Sequence, residues 1–343
     1  MAGVISSPGT GSAPRYSWQR ERTREGVELL VLRDAVGGLE AAVAPAAGGE
    51  LAGLRVRFRG TWLELLHRAR DYGRGAGWRG KAPVLWPAVG LNFARGDKPD
   101  KNATECSYDW AGRRYEIPIH GFARRKSWRV AGARADATGA QVEVVLTDDA
   151  ETRAMYPFGF ELSLTYRLEE GRLALLHRVT SRGGVGAAMF FSIGNHITFR
   201  VPFSASTPLG ACYFESPARL EYLKDKNYLA TGLSRVRPSR RPVPLSELSV
   251  IPPVALGDYE GEAWVRLSDA AGLAVRISHL AQALPAPPVV SFNLWGAPAD
   301  GYFCPEPWVG LPGSFNLRKG LVHLRAGETW RWRILIEPEF GPV

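Results

Sequence analysis

The 343-residue sequence has only three cysteines, Cys106, Cys212 and Cys304, and none falls in a Cys-x-x-Cys pair. An odd, scattered set argues against a disulfide framework and for a reducing compartment. It also argues against a zinc site built on thiolates. Long basic tracts are absent too. The formal net charge is +9, but the Lys and Arg residues are spread along the chain, with local clusters such as Arg235–Arg241. That distribution gives a mildly basic surface. It suits anionic small molecules better than nucleic acid, so no nucleic-acid partner is expected. No apolar run approaches the length of a membrane span, and Met1 to Tyr16 is small, polar and rich in Gly, Pro and Ser. Without the basic head and apolar stretch of a signal peptide, the expectation is a cytoplasmic protein with no membrane partner. Helical periodicity is scarce; Thr61 to Asp71 is the one stretch that suggests a short helix.

What the chain has is aromatic and apolar mass: 11 Trp, 14 Phe and 11 Tyr within a 45% hydrophobic composition, enough for a large core. Short apolar runs alternate with turn residues in a strand rhythm. Val27–Arg33, Glu40–Ala44, Gln141–Thr147, Glu161–Arg167, Leu173–Thr180, Ala274–Ser278 and Trp330–Ile336 all show it. Glu169-Glu-Gly-Arg172 is a natural hairpin turn between two of them. Two Gly- and Pro-punctuated stretches, Tyr72 to Ile117 and Ser204 to Pro253, read as long loops that line a site or are mobile. No internal repeat of fixed period is present. The predicted organisation is a disordered leader over residues 1–15, then one domain over 16–343. The predicted fold class is all-β, a large antiparallel sandwich whose loops build a cleft.

Three ionisable residues occupy unusual settings: Pro118-Ile-His120-Gly-Phe-Ala-Arg124, Phe190-Phe-Ser-Ile-Gly-Asn-His196-Ile-Thr-Phe199 and Tyr302-Phe-Cys-Pro-Glu306-Pro-Trp308. Aromatics, prolines and glycines around each favour extended, tightly turned backbone and partial desolvation, which moves a pKa toward neutrality. Two histidines and a glutamate meeting in one cleft would supply a general acid and a general base. Gly121 and Gly194 permit close backbone or ligand approach beside the two histidines. His67, His177, His279 and His323 lack such companions and read as structural. Trp308 beside Glu306 fits a sugar-stacking arrangement, in which apolar ring faces pack on the indole and hydroxyls meet the charge; the alternative is a carboxylate paired with an Arg beneath a loop. The three candidates come from separate segments with no His-x-His or His-x-x-x-His spacing, so no catalytic metal is expected.

Together these segments resemble the aldose 1-epimerase (galactose mutarotase) superfamily over roughly residues 25 to 340. The markers, in order, are Lys81-Ala-Pro-Val-Leu-Trp-Pro-Ala-Val-Gly90, Ile119-His-Gly-Phe-Ala-Arg124 with Trp128, Tyr156-Pro-Phe-Gly-Phe-Glu-Leu162, Ser192-Ile-Gly-Asn-His196 and Glu306-Pro-Trp-Val-Gly-Leu-Pro312 with Ser314. The resemblance implies a β-supersandwich with a shallow sugar cleft and no cofactor. It implies Glu306 as general base, His196 as general acid, and His120 as the second histidine, binding and polarising the sugar near its ring oxygen. A small-molecule sugar is the implied partner.

The chain departs from the family pattern where many relatives carry an Arg after the Pro-x-Val-Gly stretch. Here Leu91 and Asn92 follow, with Arg95 the nearest replacement. Ile197 stands for the usual Pro after the acid histidine, and Gly313 for a frequent Asp. Asp258 is the candidate for the aspartate that grips sugar hydroxyls in some relatives. Arg124, Asn195 and Trp308 complete the expected sugar-binding set. In a strand, Arg124 would share a face with His120 and could take a sugar phosphate bidentately; the other readings are that it braces Glu306 or a loop carboxylate and that the substrate is a neutral aldohexose. The alternatives are a non-catalytic sugar-binding or sensing protein on the same scaffold, or a lyase or hydrolase acting on a glycan. A glycosidase would need a second carboxylate across the cleft from Glu306.

Overall fold

The structure is a computed structural model, and it describes residues 13–68, 72, 80–186 and 188–341. The leader expected over residues 1–15 lies almost wholly outside them. Strand accounts for 54% and helix for 6% of the chain, as the alternating patterns require.

The largest sheet has nine strands, all antiparallel, running from the short strand Val243–Pro244 across Leu273–Ala281, Thr329–Phe340 and Arg172–Gly184 to Arg129–Asp136. Its two longest neighbours, Phe158–Glu169 and Arg172–Gly184, are joined at Glu170-Gly171. Both turn residues take positive φ, 49° and 74°, the tight hairpin the sequence predicts. A second large sheet holds Leu220–Lys224, Val254–Gly257, Val290–Ala297, Tyr302–Val309, Ile193–Asn195 and Val84–Leu85 in that order. The two sheets bury their facing sides against each other. Val275 and Ile277 of one join Phe292, Leu294 and Phe303 of the other in a single apolar core. A five-stranded meander, Tyr16–Arg22 to Thr61–Glu64, covers the outer strands of the nine-stranded sheet.

Two local expectations are corrected. The helix expected from Thr61 to Asp71 begins instead as the strand Thr61–Glu64, and its last three positions, 69–71, lie outside the described residues. Arg59 and Gly60, at φ 51° and 80°, turn the chain back so that Thr61–Glu64 pairs with Arg55–Phe58. β-Branched Thr61 and aromatic Trp62 suit that pleated edge. Neither stretch read as a long loop is continuous: Tyr72 to Ile117 carries Val84–Leu85 and the paired strands Glu105–Trp110 and Arg113–Pro118, and Ser204 to Pro253 carries Cys212–Glu215, Leu220–Lys224, Ala230–Val236 and Val243–Pro244. In the second stretch Leu220–Lys224 is half-buried throughout and Ala230–Val236 is almost wholly exposed, so these two lack the buried alternation that marks a strand in sequence.

Candidate active site

A cavity of about 360 Å³ opens on the second large sheet, within the size range of small-molecule sites. His120, His196, Glu306, Trp308 and Arg124 all line it, together with Lys224, Asn293, Trp295, Glu50 and Lys81. The stretch expected to line a site, Tyr72 to Ile117, contributes Lys81, Pro83, Leu85, Gly90, Leu91 and Lys101–Thr104 to the wall.

Glu306 sits at the middle of the strand Tyr302–Val309, buried and directly opposite Asn293 in the register. Its Oε1 accepts from Asn293 Nδ2 at 3.0 Å and its Oε2 from Trp308 Nε1 at 3.2 Å. Removal from water is the largest influence on this carboxyl and pushes its pKa upward; the two donors and the Lys224 charge pull it back only in part. His196 follows the short strand Ile193–Asn195 and aims Nε2 at Glu306 Oε1, 3.6 Å away. Burial lowers the imidazole pKa, with Arg124 adding to the effect. The carboxyl and the imidazole therefore face one another in a buried wall that disfavours charge on either.

His120 is held differently. Its backbone lies at φ +64°, rare for a residue with a Cβ, and Gly121 follows at +72°. A Cβ at Gly121 would meet Trp86 O at 2.2 Å, so only glycine fits this turn. The His120 N–H donates to Gly90 O at 3.2 Å, and the Gly90 N–H donates to His120 Nδ1 at 3.1 Å. With Nδ1 accepting, a neutral ring carries its proton on Nε2 and is a donor to whatever the cavity holds. Burial keeps the ring neutral by lowering its pKa, and His196, Arg124 and Lys224 reinforce this. Gly194 is equally constrained: a Cβ there would lie 2.5 Å from the indole of Trp308, the same ring that donates to Glu306.

Arg124 reaches the cavity from a 3-10 turn, Ala123–Arg125, and not from the strand that the spacing suggests. Gly121 swings the chain over Trp86, and Trp128 Nε1 pins the turn by donating to Ala123 O at 3.0 Å. Desolvation lowers the Arg124 pKa to about 10, and neighbouring Arg125 adds to this. Arg124 Nε, and Nε and Nη2 of Arg125, are buried without a hydrogen-bond acceptor among the described residues.

Residues 37–240 match the profile of the family described as aldose 1-epimerase. The chain belongs to the aldose 1-epimerase family. Among curated proteins it is 30% identical over 91 residues to the Escherichia coli K12 protein named "Putative glucose-6-phosphate 1-epimerase", a match covering 26% of this chain and 31% of that one. The chain thus spans less than a third of the length of that relative. Among solved structures, a galactose mutarotase-like protein of Clostridium acetobutylicum superposes with a TM-score of 0.76 at 19% identity, covering 95% of this chain and 99% of that one. Galactose 1-epimerase of Lactobacillus acidophilus NCFM gives 0.69 at 14% identity, over 96% and 100%. At these identities the superpositions establish a shared fold.

Three expected members of this family site stand elsewhere. Asp258 does not line the cavity; its carboxylate is paired with Arg219 through bonds of 2.9 and 3.0 Å. Arg95 is exposed and does not line the cavity, whereas Leu91 does. Asn195 is fully buried behind His196, and its amide makes no hydrogen bond to a described residue. Conversely, Lys224 and Asn293 escaped the sequence reading. The only signal was Lys224 in the middle of a stretch without core pattern, Ser204 to Pro253, and an Asn in an otherwise apolar run, Val290-Ser-Phe-Asn-Leu-Trp. Among the described residues no group of three or more His, Cys, Asp or Glu side chains is arranged to hold a metal. No helix among them is long and apolar enough to cross a membrane.

Proposed function

We propose that this protein is an aldose 1-epimerase that interconverts the α and β anomers of an aldohexose by acid–base ring opening. The observation that carries the reading is the convergence of Glu306, His196 and His120 on one cavity wall, with Glu306 and His196 only 3.6 Å apart. Ionised Glu306 takes the proton from the anomeric hydroxyl while imidazolium His196 protonates the ring oxygen. The C1–ring oxygen bond breaks and C1 becomes the free aldehyde. Rotation about C1–C2 and the reverse transfers close the other anomer. His120, donating from Nε2, holds the sugar near its ring oxygen, and the apolar faces of Trp308 and Trp295 suit a pyranose ring. Each positioned proton transfer is worth about 10²–10⁴-fold in rate.

The two histidines have separable roles. His196→Asn is expected to lower kcat by about 10²-fold or more with KM little changed, because it acts as charge develops. His120→Asn is expected to lower kcat and raise KM together, because it contacts sugar throughout. Steady-state kinetics from NMR anomer exchange would distinguish them; a rise in KM alone in both variants would remove both histidines from the role of acid, and absence of exchange in wild type would favour the sugar-binding protein.

A sugar phosphate is the substrate that the rim favours. Arg124 lines the cavity with no carboxylate in salt-bridge range among the described residues, its Nη2 donating to Ile119 O at 3.5 Å; Arg125 is paired with Glu105 at 3.3 Å, and Lys101 lies along the same wall. A desolvated guanidinium lacking a full counter-charge is a site for an anion, and a phosphate oxygen satisfies it bidentately. The name of the Escherichia coli relative agrees with this preference. Glucose and galactose should therefore be turned over less efficiently than their 6-phosphates. Arg124→Ala should cost the phosphates about 10- to 100-fold in kcat/KM, one charge-assisted bond's worth, while sparing the neutral sugars. Equal loss on both substrates would mark Arg124 as structural, and a preference left intact by the substitution would place the phosphate elsewhere.

A further inference from the structure

Lys224 ends the strand Leu220–Lys224, in the stretch whose sequence reads as loop, and its side chain enters the cavity behind Glu306. Its Nζ donates to Asn293 Oδ1 at 2.6 Å. The same amide donates through Nδ2 to Glu306 Oε1 at 3.0 Å. The ammonium has only donors, so Asn293 must turn its oxygen to Lys224 and its nitrogen to Glu306. An ammonium, an amide and a carboxylate thus form one polarised line running into the base.

Burial favours the protonated carboxyl in this wall, and the line offsets part of that preference. Donors on Glu306 come from the neighbouring strand through Asn293 and from its own strand through Trp308. His196 faces it at 3.6 Å and Cys304 lies two residues back on the same strand. Lys224 is the cation whose charge acts on Glu306, while the charge acting on His196 is that of Arg124. The Glu306–His196 pair has two arrangements of a single proton: on the carboxyl with a neutral imidazole, or on the imidazole with a carboxylate. Only the second has the base and acid the reaction needs, and a positive charge on the glutamate side favours it.

We propose that Lys224 is a positioning residue which, through Asn293, biases Glu306 toward its ionised form and the pair's proton toward His196. This rests on the epimerase reading for its kinetic consequences only. Lys224 is itself poised to respond to its surroundings: burial lowers its pKa to about 7, and the charges of Glu306 and Glu221 hold it up.

The test is to follow the Glu306 carboxyl by NMR in protein labelled with ¹³C at the glutamate carboxyl, assigned with Glu306→Gln, while measuring pH profiles of anomer exchange. Wild type, Lys224→Met and Lys224→Arg are compared. In Lys224→Met the carboxyl midpoint should rise by about one pH unit or more, and kcat/KM at neutral pH should fall about tenfold or more. That loss should lie in kcat and shrink as pH is raised toward the new midpoint. Lys224→Arg, which keeps the charge, should hold the midpoint near that of wild type. An unchanged midpoint in Lys224→Met overturns the proposal, as does a loss confined to KM with an unshifted profile, which would make Lys224 a sugar contact. Absence of anomer exchange in wild type would remove the epimerase reading, yet the carboxyl titration would still decide the role of Lys224.

Discussion

Glu306→Gln is expected to reduce anomer exchange by about 10³-fold or more while the protein stays folded. The amide keeps the size of the carboxyl but cannot accept the anomeric proton. Folding should tolerate it because the amide is isosteric and carries no charge to desolvate, even though its surroundings are donors. Glutamine offers one oxygen, able to satisfy either Asn293 Nδ2 or Trp308 Nε1, whereas the carboxylate satisfies both. One buried donor is then left unmatched, at a cost of about 1–3 kcal/mol. Relief of a desolvated carboxyl offsets part of that cost, so the thermal midpoint should move by only a few degrees. Saturation-transfer NMR on any sugar the wild type turns over, with circular dichroism as the folding control, decides it. Exchange above one-tenth of wild type in a folded variant would remove Glu306 from the role of base.

What the sequence disclosed, and what it hid, follows from how burial is distributed. The central strands announce themselves because alternate side chains enter one core. Phe158–Glu169 and Arg172–Gly184 are legible for that reason, as is the turn at Glu170-Gly171, where positive φ favours glycine. His120, His196 and Glu306 are legible because each is a polar residue in an apolar or turning context, with glycines that the packing of Trp86 and Trp308 makes obligatory. Lys224 is hidden because Leu220–Lys224 is half-buried along its whole length and shows no alternation. Asn293 is hidden for the opposite reason: a lone amide inside an apolar run has no local mark, and its meaning comes only from lying opposite Glu306 across the ladder. Asp258 misled because spacing places a carboxylate in the chain but not in space. Its backbone at φ +60° and its pairing with Arg219 belong to a turn outside the cavity.

The second large effect concerns stability in acid, and it arises away from the site. His177 and His279 lie on either side of Trp332 in the nine-stranded sheet, both buried. Trp332 Nε1 donates to His279 Nδ1 at 3.1 Å, while neither ring nitrogen of His177 makes a hydrogen bond to a described residue. Burial drives each pKa to about 3. In the unfolded chain an imidazole titrates near about 6.5. Between those limits the unfolded state binds more protons, so stability is level above about pH 6.5 and falls as pH drops toward 3. The slope approaches about 1.4 kcal/mol per pH unit for each histidine. Glu50 and Glu306 work in the other sense. Burial raises their pKa values to about 7 and about 8, so their contribution grows as pH falls toward the ordinary carboxyl range and then stops. The steepest loss should therefore begin below about pH 4.5, where the histidines act unopposed by these two glutamates. Urea unfolding at pH 7, 5.5 and 4.5 of wild type and His177→Leu isolates the effect. At pH 7 the leucine variant should be at least as stable, since it removes two buried ring nitrogens that lack partners. By pH 4.5 its advantage should have widened by about 2–3 kcal/mol, the share of one histidine over that interval. Parallel stability curves for the two proteins would show that His177 takes up its proton in the folded state as readily as in the unfolded one.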